Sequence, residues 1–340
     1  MLVCLYLIAG CNESRSNRPA MILPSDQSDP DDTISTSDTL TVVEENKILD
    51  TTLYDSLVRR LVHQLEDDKW PVKTPYPLPG ALLPFNRIVA YYGNFYSSGM
   101  GILGALPSEQ MKTRLLEECA LWAEADSIIP VIPALHYLAV TAQKAPGKDG
   151  SYRLRMPHHQ IDKLVEMSTS INGISFLDIQ VGHSTVQREI PPLEKYLMMP
   201  DVHLGLDPEW SMKGGEIPGK KIGTMDASDI NYAVSYLSEL VRKHNLPPKI
   251  LVVHRFTKGM ITNYKNIKTC PEVQIVINMD GFGFPAKKVD SYRRFVAGEP
   301  IQFTGFKLFY KNDAWTAPHR LMTRKEILDL RPRPIYIQYQ

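Results

Sequence analysis

The sequence predicts an α/β chain closed into a single (β/α)8 barrel of the TIM type, and three observations carry that expectation. Eight short β-rich runs recur along the body of the chain, helical or loop stretches separate them, and polar residues gather at the ends of the runs. The 340 residues suit one large domain behind an N-terminal tether, and a 43% hydrophobic content supplies a sizeable core. Lys plus Arg and Asp plus Glu number 38 each, so a formal net charge of zero leaves no basic field to gather phosphates. A dedicated nucleic-acid binder is thereby disfavoured.

In chain order, the body opens at residues 52–67 with an amphipathic helix whose Leu53, Leu57, Leu61 and Leu65 form a stripe at four-residue spacing. It is expected to cover the barrel floor or the gap left by a missing eighth helix. Strands are expected at residues 87–93, 131–140, 175–181, 201–210, 249–256, 273–283, 301–310 and 334–340. Helices are expected between them, at residues 108–125, 159–171 and 227–245, the last opened by a Ser228-Asp229 pair suited to capping. An open doubly wound sheet is the structural rival.

The first residues, MLVCLYLIAGC, form an apolar run too short to span a bilayer, closed by small residues and a Cys. Ile8-Ala9-Gly10-Cys11 resembles the lipobox of bacterial lipoproteins. That resemblance implies a signal peptide over residues 1–10, cleavage before Cys11, and a membrane anchor through lipid on its thiol in the cell envelope. From residue 12 to residue 46 the chain is rich in Ser, Asp, Thr and Pro, as a flexible linker is, which places the barrel at residues 47–340. Cys119 and Cys270 remain as the body's thiols and are expected to be free, because a disulfide tolerates little variation in geometry.

Strand-end residues are the candidate site, since the loops that follow them form a barrel's mouth. They are Tyr92 and Asn94 after the first run, His136 in the second, Asp178 and Gln180 in the third, and Asp207 and Glu209 in the fourth. His254, Asp280 and Lys307 follow from the fifth, sixth and seventh. In Leu206-Asp207-Pro208-Glu209-Trp210 the two carboxyls stand two apart, which on a strand puts them on one face with α-carbons about 6–7 Å apart. Like charges that close raise one pKa, so one carboxyl can serve as a general acid beside an ionised neighbour. Trp210, Tyr91, Tyr92, Phe95, Tyr96 and Trp315 offer faces on which sugar rings could stack.

Asp207-x-Glu209, together with Ile277-Asn278-Met279-Asp280, resembles the strand-four and strand-six layout of chitinase-type and muramidase-type barrel glycoside hydrolases. The resemblance implies Glu209 as proton donor and Asp207 as the carboxylate beside it, with Asp178 or Asp280 as base or stabiliser. His203-Leu204-Gly205-Leu206 stands where chitinase-type enzymes carry further acids, which sets substrate-assisted catalysis aside. Tyr92, Asn94, His136, Gln180, Trp210, His254 and Lys307 are then expected to hold the glycan. No cofactor is expected. The alternatives are a metal-dependent hydrolase using His136, Asp178, Asp207, Glu209, His254 and Asp280 as ligands for a divalent ion, and a catalytically inert glycan-binding lipoprotein.

Three further motifs lose their usual meaning in context. Gly99-x-Gly101-x-x-Gly104 fits a dinucleotide fingerprint, but Pro107 follows it and no acid closes the second strand, so a mouth loop is expected instead. Residues 213–221 read as a lid or a plain turn, and Gly182-His183-Ser184 lacks the elbow of a serine hydrolase.

Overall fold

The computed structural model describes residues 48–340; the expected signal peptide, the lipidation at Cys11 and the linker to residue 46 lie outside the described residues. Eight parallel strands form a closed ring: β1 (Arg87–Gly93), β2 (Val131–Ala142), β3 (Ile174–Ile179), β4 (Val202–Leu206), β5 (Lys249–Arg255), β6 (Val273–Met279), β7 (Phe303–Leu308) and β8 (Tyr336–Tyr339). Each pairs with its neighbour in sequence, and β8 closes on β1 with Tyr336 opposite Ile88. This is the predicted (β/α)8 barrel, and the open doubly wound sheet is excluded.

Several runs end earlier than their composition suggests, two of them by a full four residues. β4 stops at Leu206, not at residue 210, because Pro208 starts a 3-10 turn that Asp207 caps. β6 stops at Met279, short of Gly281 and of Gly283, whose φ of 143° favours glycine.

Side chains alternate between two cores, as a period of two requires. Ile88 and Ala90 of β1, Ile174 and Phe176 of β3, and Ile250 and Val252 of β5 belong to a cluster inside the ring. Between them, Val89, Tyr91, Leu177, Leu251 and Val253 join a larger cluster under the helices. With both faces covered, every residue of β1, β5 and β6 is buried, and each large apolar side chain contributes about 1.5–3 kcal/mol by leaving water.

Helix α1 (Thr51–Leu61) begins at Asp50, whose side chain accepts from Leu53 N at 2.8 Å, and its Tyr54, Leu57 and Leu61 join the inner cluster. It therefore plugs the barrel floor. The stripe predicted to residue 67 is cut short: His63 and Gln64 adopt left-handed φ of 58° and 59°, leaving Leu65 exposed past the helix end, and Leu53, though helical, is exposed as well. Helices α2 (Ser108–Ala125), α3 (His158–Thr169) and α4 (Ala227–His244) pack outside the sheet. Asp226, not the Ser228-Asp229 pair, caps α4, with Asp229 returning a bond to the Asp226 backbone to complete a capping box. Cys119 and Cys270 are free thiols.

Candidate active site

The same alternation builds the site. Two residues beyond Ala90, Ala134, Phe176 and Val252, the inward positions become Tyr92, His136, Asp178 and His254, so the interior changes from apolar to polar at one level of the barrel. Above that level lies a cavity of about 900 Å³, walled by residues from the C-terminal ends of all eight strands. Tyr92, Gln180, Asp207, Glu209, Trp210, Asp280 and Lys307 line it. Seven of the residues singled out in the sequence thus meet in one place.

At the base of the cavity, charges alternate around a ring. Tyr92 Oη donates to Asp178 Oδ2 at 2.9 Å, and His254 Nε2 stands 3.6 Å from the same oxygen. His254 Nδ1 faces Asp280 Oδ2 at 3.1 Å, Lys307 Nζ lies 3.0 Å from Asp280 Oδ1, and the Lys307 ammonium returns to the Tyr92 ring, 3.7 Å from its centroid. Gly205 makes room for this ring. A Cβ on its inward side would lie 2.4 Å from Asp178 Oδ1 and 2.5 Å from His136 Nε2. This residue carried no chemical signal in the sequence beyond being a glycine on the inward face, two positions before Asp207.

Four carboxyls, those of Asp178, Asp207, Glu209 and Asp280, gather around His254 and Lys307, while Lys288, also on the cavity wall, is paired with Asp313. Burial opposes ionisation of Asp178, but His254 and His136 outweigh it and hold that carboxyl far below its ordinary range. Burial likewise opposes charge on Asp280, and Lys307 and His254 keep it ionised. His254 would be neutralised by burial alone; Asp178 and Asp280 raise it to about 10. His136 is pushed down to about 4 by burial and is neutral. The two remaining carboxyls have no cation of their own. Burial drives Asp207 well above the carboxylate range, and burial followed by the charge of Asp280 lifts Glu209 to about 7. One cavity therefore holds a carboxyl that keeps its proton near neutrality and a carboxylate that does not, the arrangement acid–base chemistry needs.

Several expected roles change. Asp207 and Glu209 are not side by side on a strand: Asp207 turns back as a cap, accepting from Glu209 N at 3.2 Å and from Gln180 Nε2 at 3.0 Å. Asp178 and His254 are fully buried and stand just outside the cavity's lining. His136 is also fully buried and is engaged by Tyr336 Oη at 2.6 Å. Asn94 donates to Leu138 O and accepts from Tyr96 N, so it folds the loop after β1 instead of facing a ligand. Tyr91 is buried in the outer core and Phe95 stacks on Tyr137, which removes both as sugar platforms. Sequence reasoning missed Phe256, Phe282 and Phe309 on the cavity wall. Each lies one to three residues past a strand end, and their position was the only available signal.

The glycine motif packs backbone. A Cβ on Gly104 would lie 2.3 Å from Asn94 O, while Gly99 and Met100 face the cavity. Ser184 is bonded to Glu189 at 2.5 Å and His183 to the Glu216 carbonyl at 2.8 Å, so neither forms a nucleophile pair. Among the described residues, His136, Asp178 and His254 offer ligand atoms within 4.8 Å of one another, a spacing that a divalent ion could bridge.

No family's sequence profile matches the chain, and no curated protein matches it. Solved structures similar to it include a ruminal GH26 endo-beta-1,4-mannanase, with a TM-score of 0.37 and 10% identity over 81% of this chain. Another is GH26C from a Muricauda species, with a TM-score of 0.34 and 10% identity over 85% of this chain. The chain spans 66% of the first structure's length, just under two thirds, and 82% of the second's.

Proposed function

We propose that the barrel hydrolyses a glycosidic bond, with Glu209 as the proton donor and Asp280 as the ionised partner. The observation that carries this reading is geometric: Glu209 and Asp280 line one cavity, Asp280 paired with His254 and Lys307 and Glu209 with no cation of its own, which is why burial can lift Glu209 to about 7. Glu209 gives its proton to the bridging oxygen as that bond breaks, and Asp280 faces the electron-poor sugar carbon directly or through the attacking water. Asp207 and Gln180 fix the turn that aims Glu209. Trp210, with Phe256 and Phe309, supplies apolar faces for sugar rings on the same wall.

The Glu209→Gln variant keeps the shape and loses the proton. Turnover of the glycan substrate is expected to fall by roughly 10²–10⁴-fold with the fold intact by circular dichroism. Full activity in that variant overturns the assignment. The same assay with and without chelator separates a second reading, a metal-dependent hydrolase, which the His136, Asp178 and His254 spacing favours. Loss of activity to chelator, with recovery on adding one divalent ion, would establish that reading in place of the first. An inert glycan binder would show affinity without turnover in the wild type.

The proposal also places this barrel in the cell envelope, tethered by residues 11–46 and held to the membrane through lipid on Cys11. Labelled fatty acid fed to expressing cells should appear in the wild-type protein and vanish in Cys11→Ala. Equal labelling of both would remove the anchor from this position.

A further inference from the structure

From the cavity wall outward, aromatic rings continue in series. Phe309 lies on the cavity wall, Phe282 meets it edge to face with centroids 6.0 Å apart, and Trp315 meets Phe282 in the same way at 6.1 Å. Exposure rises along the series: Phe309 is 8% exposed, Phe282 47% and Trp315 66%. One exposed tryptophan is unremarkable, whereas a row of rings leading out of a polar cavity is an apolar surface continuous with the site.

The row is held rigidly. Lys288 and Asp313 form a buried ion pair at 2.8 Å, and both side chains are 1% exposed. Lys288 Nζ also donates to the carbonyls of Gly281 and Lys307, at 2.9 and 2.8 Å. Asp313 accepts from the backbone N–H of Gly283 and of Phe309, both at 2.9 Å. One pair thus pins the loop that carries Phe282 and the loop that carries Phe309 and Trp315. Lys287 Nζ sits 5.3 Å from the Phe282 ring centroid and adds a donor for hydroxyls beside the aromatic faces. The cavity itself, about 900 Å³, is near the upper end of the roughly 300–1,000 Å³ usual for small-molecule sites and has room for more than one sugar.

We infer that Phe282, on the cavity's rim, and Trp315 beyond it form a sugar-binding platform, so that the substrate is a glycan chain extending past the mouth. This inference rests on the hydrolase reading above. The apolar C–H faces of successive sugars stack on rings fixed in advance, and their hydroxyls remain in water, which keeps the ordering cost of binding low.

The test uses full-length protein and manno-, cello-, chito- and peptidoglycan-derived oligosaccharides, each as a disaccharide and a hexasaccharide. Wild type is expected to cleave the long member of its preferred series with the higher kcat/KM. Trp315→Ala should cut that long-over-short advantage by roughly tenfold, and Trp315→Phe should restore part of it. Calorimetry on Glu209→Gln should show the same chain-length preference in affinity, lost when Trp315→Ala is added. If wild type cleaves a series with no length preference, or Trp315→Ala leaves the preference unchanged, the platform is overturned and the hydrolase reading stands. If wild type neither binds nor cleaves any of them, both fall.

Discussion

The two ends of the barrel bury charge in opposite proportions. At the floor, the single carboxylate of Asp126 meets two guanidiniums, the fully buried Arg87 at 3.0 Å and Arg60 at 2.6 Å. Burial opposes its ionisation, yet Arg60 and Arg87 hold it below the usual carboxylate range. At the mouth, four carboxyls share His254 and Lys307, and two of them are driven toward the protonated form. An end with cations in excess has no proton to give and acts as a clamp. A cluster such as that around His254 and Lys307, where carboxyls outnumber cations, keeps protons that can move.

The largest effect that would break this contrast is at the floor. Asp126→Ala leaves Arg87 buried without its carboxylate, and unfolding stability is expected to fall by about 3–5 kcal/mol. Denaturant titration reads this directly; a loss of under about 1 kcal/mol would mean that Arg87 is compensated elsewhere. A smaller effect sharpens the mouth. The folded pKa of Glu209, about 7, lies above its ordinary 4.5, so the folded state keeps a proton that the unfolded chain gives up. Charging Glu209 therefore costs stability as pH rises from 4.5 to 7, and the cost levels off above 7. Glu209→Gln cannot charge and should gain stability relative to wild type across that window, by on the order of 1 kcal/mol for a partly solvated group. A difference between the two proteins that stays flat with pH would place Glu209 in water.

The contrast also explains which features the sequence revealed. Strand positions were legible because a parallel barrel buries both faces of its strands, and runs such as KILVVHR and VQIVINM stand out from their surroundings. Strand ends were less legible. Pro208 was visible, but reading Asp207 and Glu209 as same-face strand residues ignored that Asp before Pro starts a turn. Most of the polar inward residues were noticed, though Tyr336 and Gln338 were not, and sequence alone could not separate the layer under the cavity from the layer facing it. His136, Asp178 and His254 belong to the first, and Asp280 and Lys307 reach the second. That distinction depends on the stagger between neighbouring strands, a three-dimensional quantity. The aromatic wall was partly missed for a related reason: Phe256, Phe282 and Phe309 lie in loops, where no period marks a direction.

The closing seam between β1 and β8 has a consequence for how the chain reaches this state. Tyr336 pairs with Ile88 across about 250 residues of intervening sequence, whereas the other ring pairings join consecutive strands. During synthesis, β1 to β7 can assemble progressively, but the free edges of β1 and β7 stay unpaired until the eighth strand arrives. A sheet of seven strands without the eighth has two unpaired edges, which can pair with other chains. Its partner-seeking edges are silenced by four residues, Tyr336–Tyr339, which also carry Gln338 and Tyr336 into the charged centre.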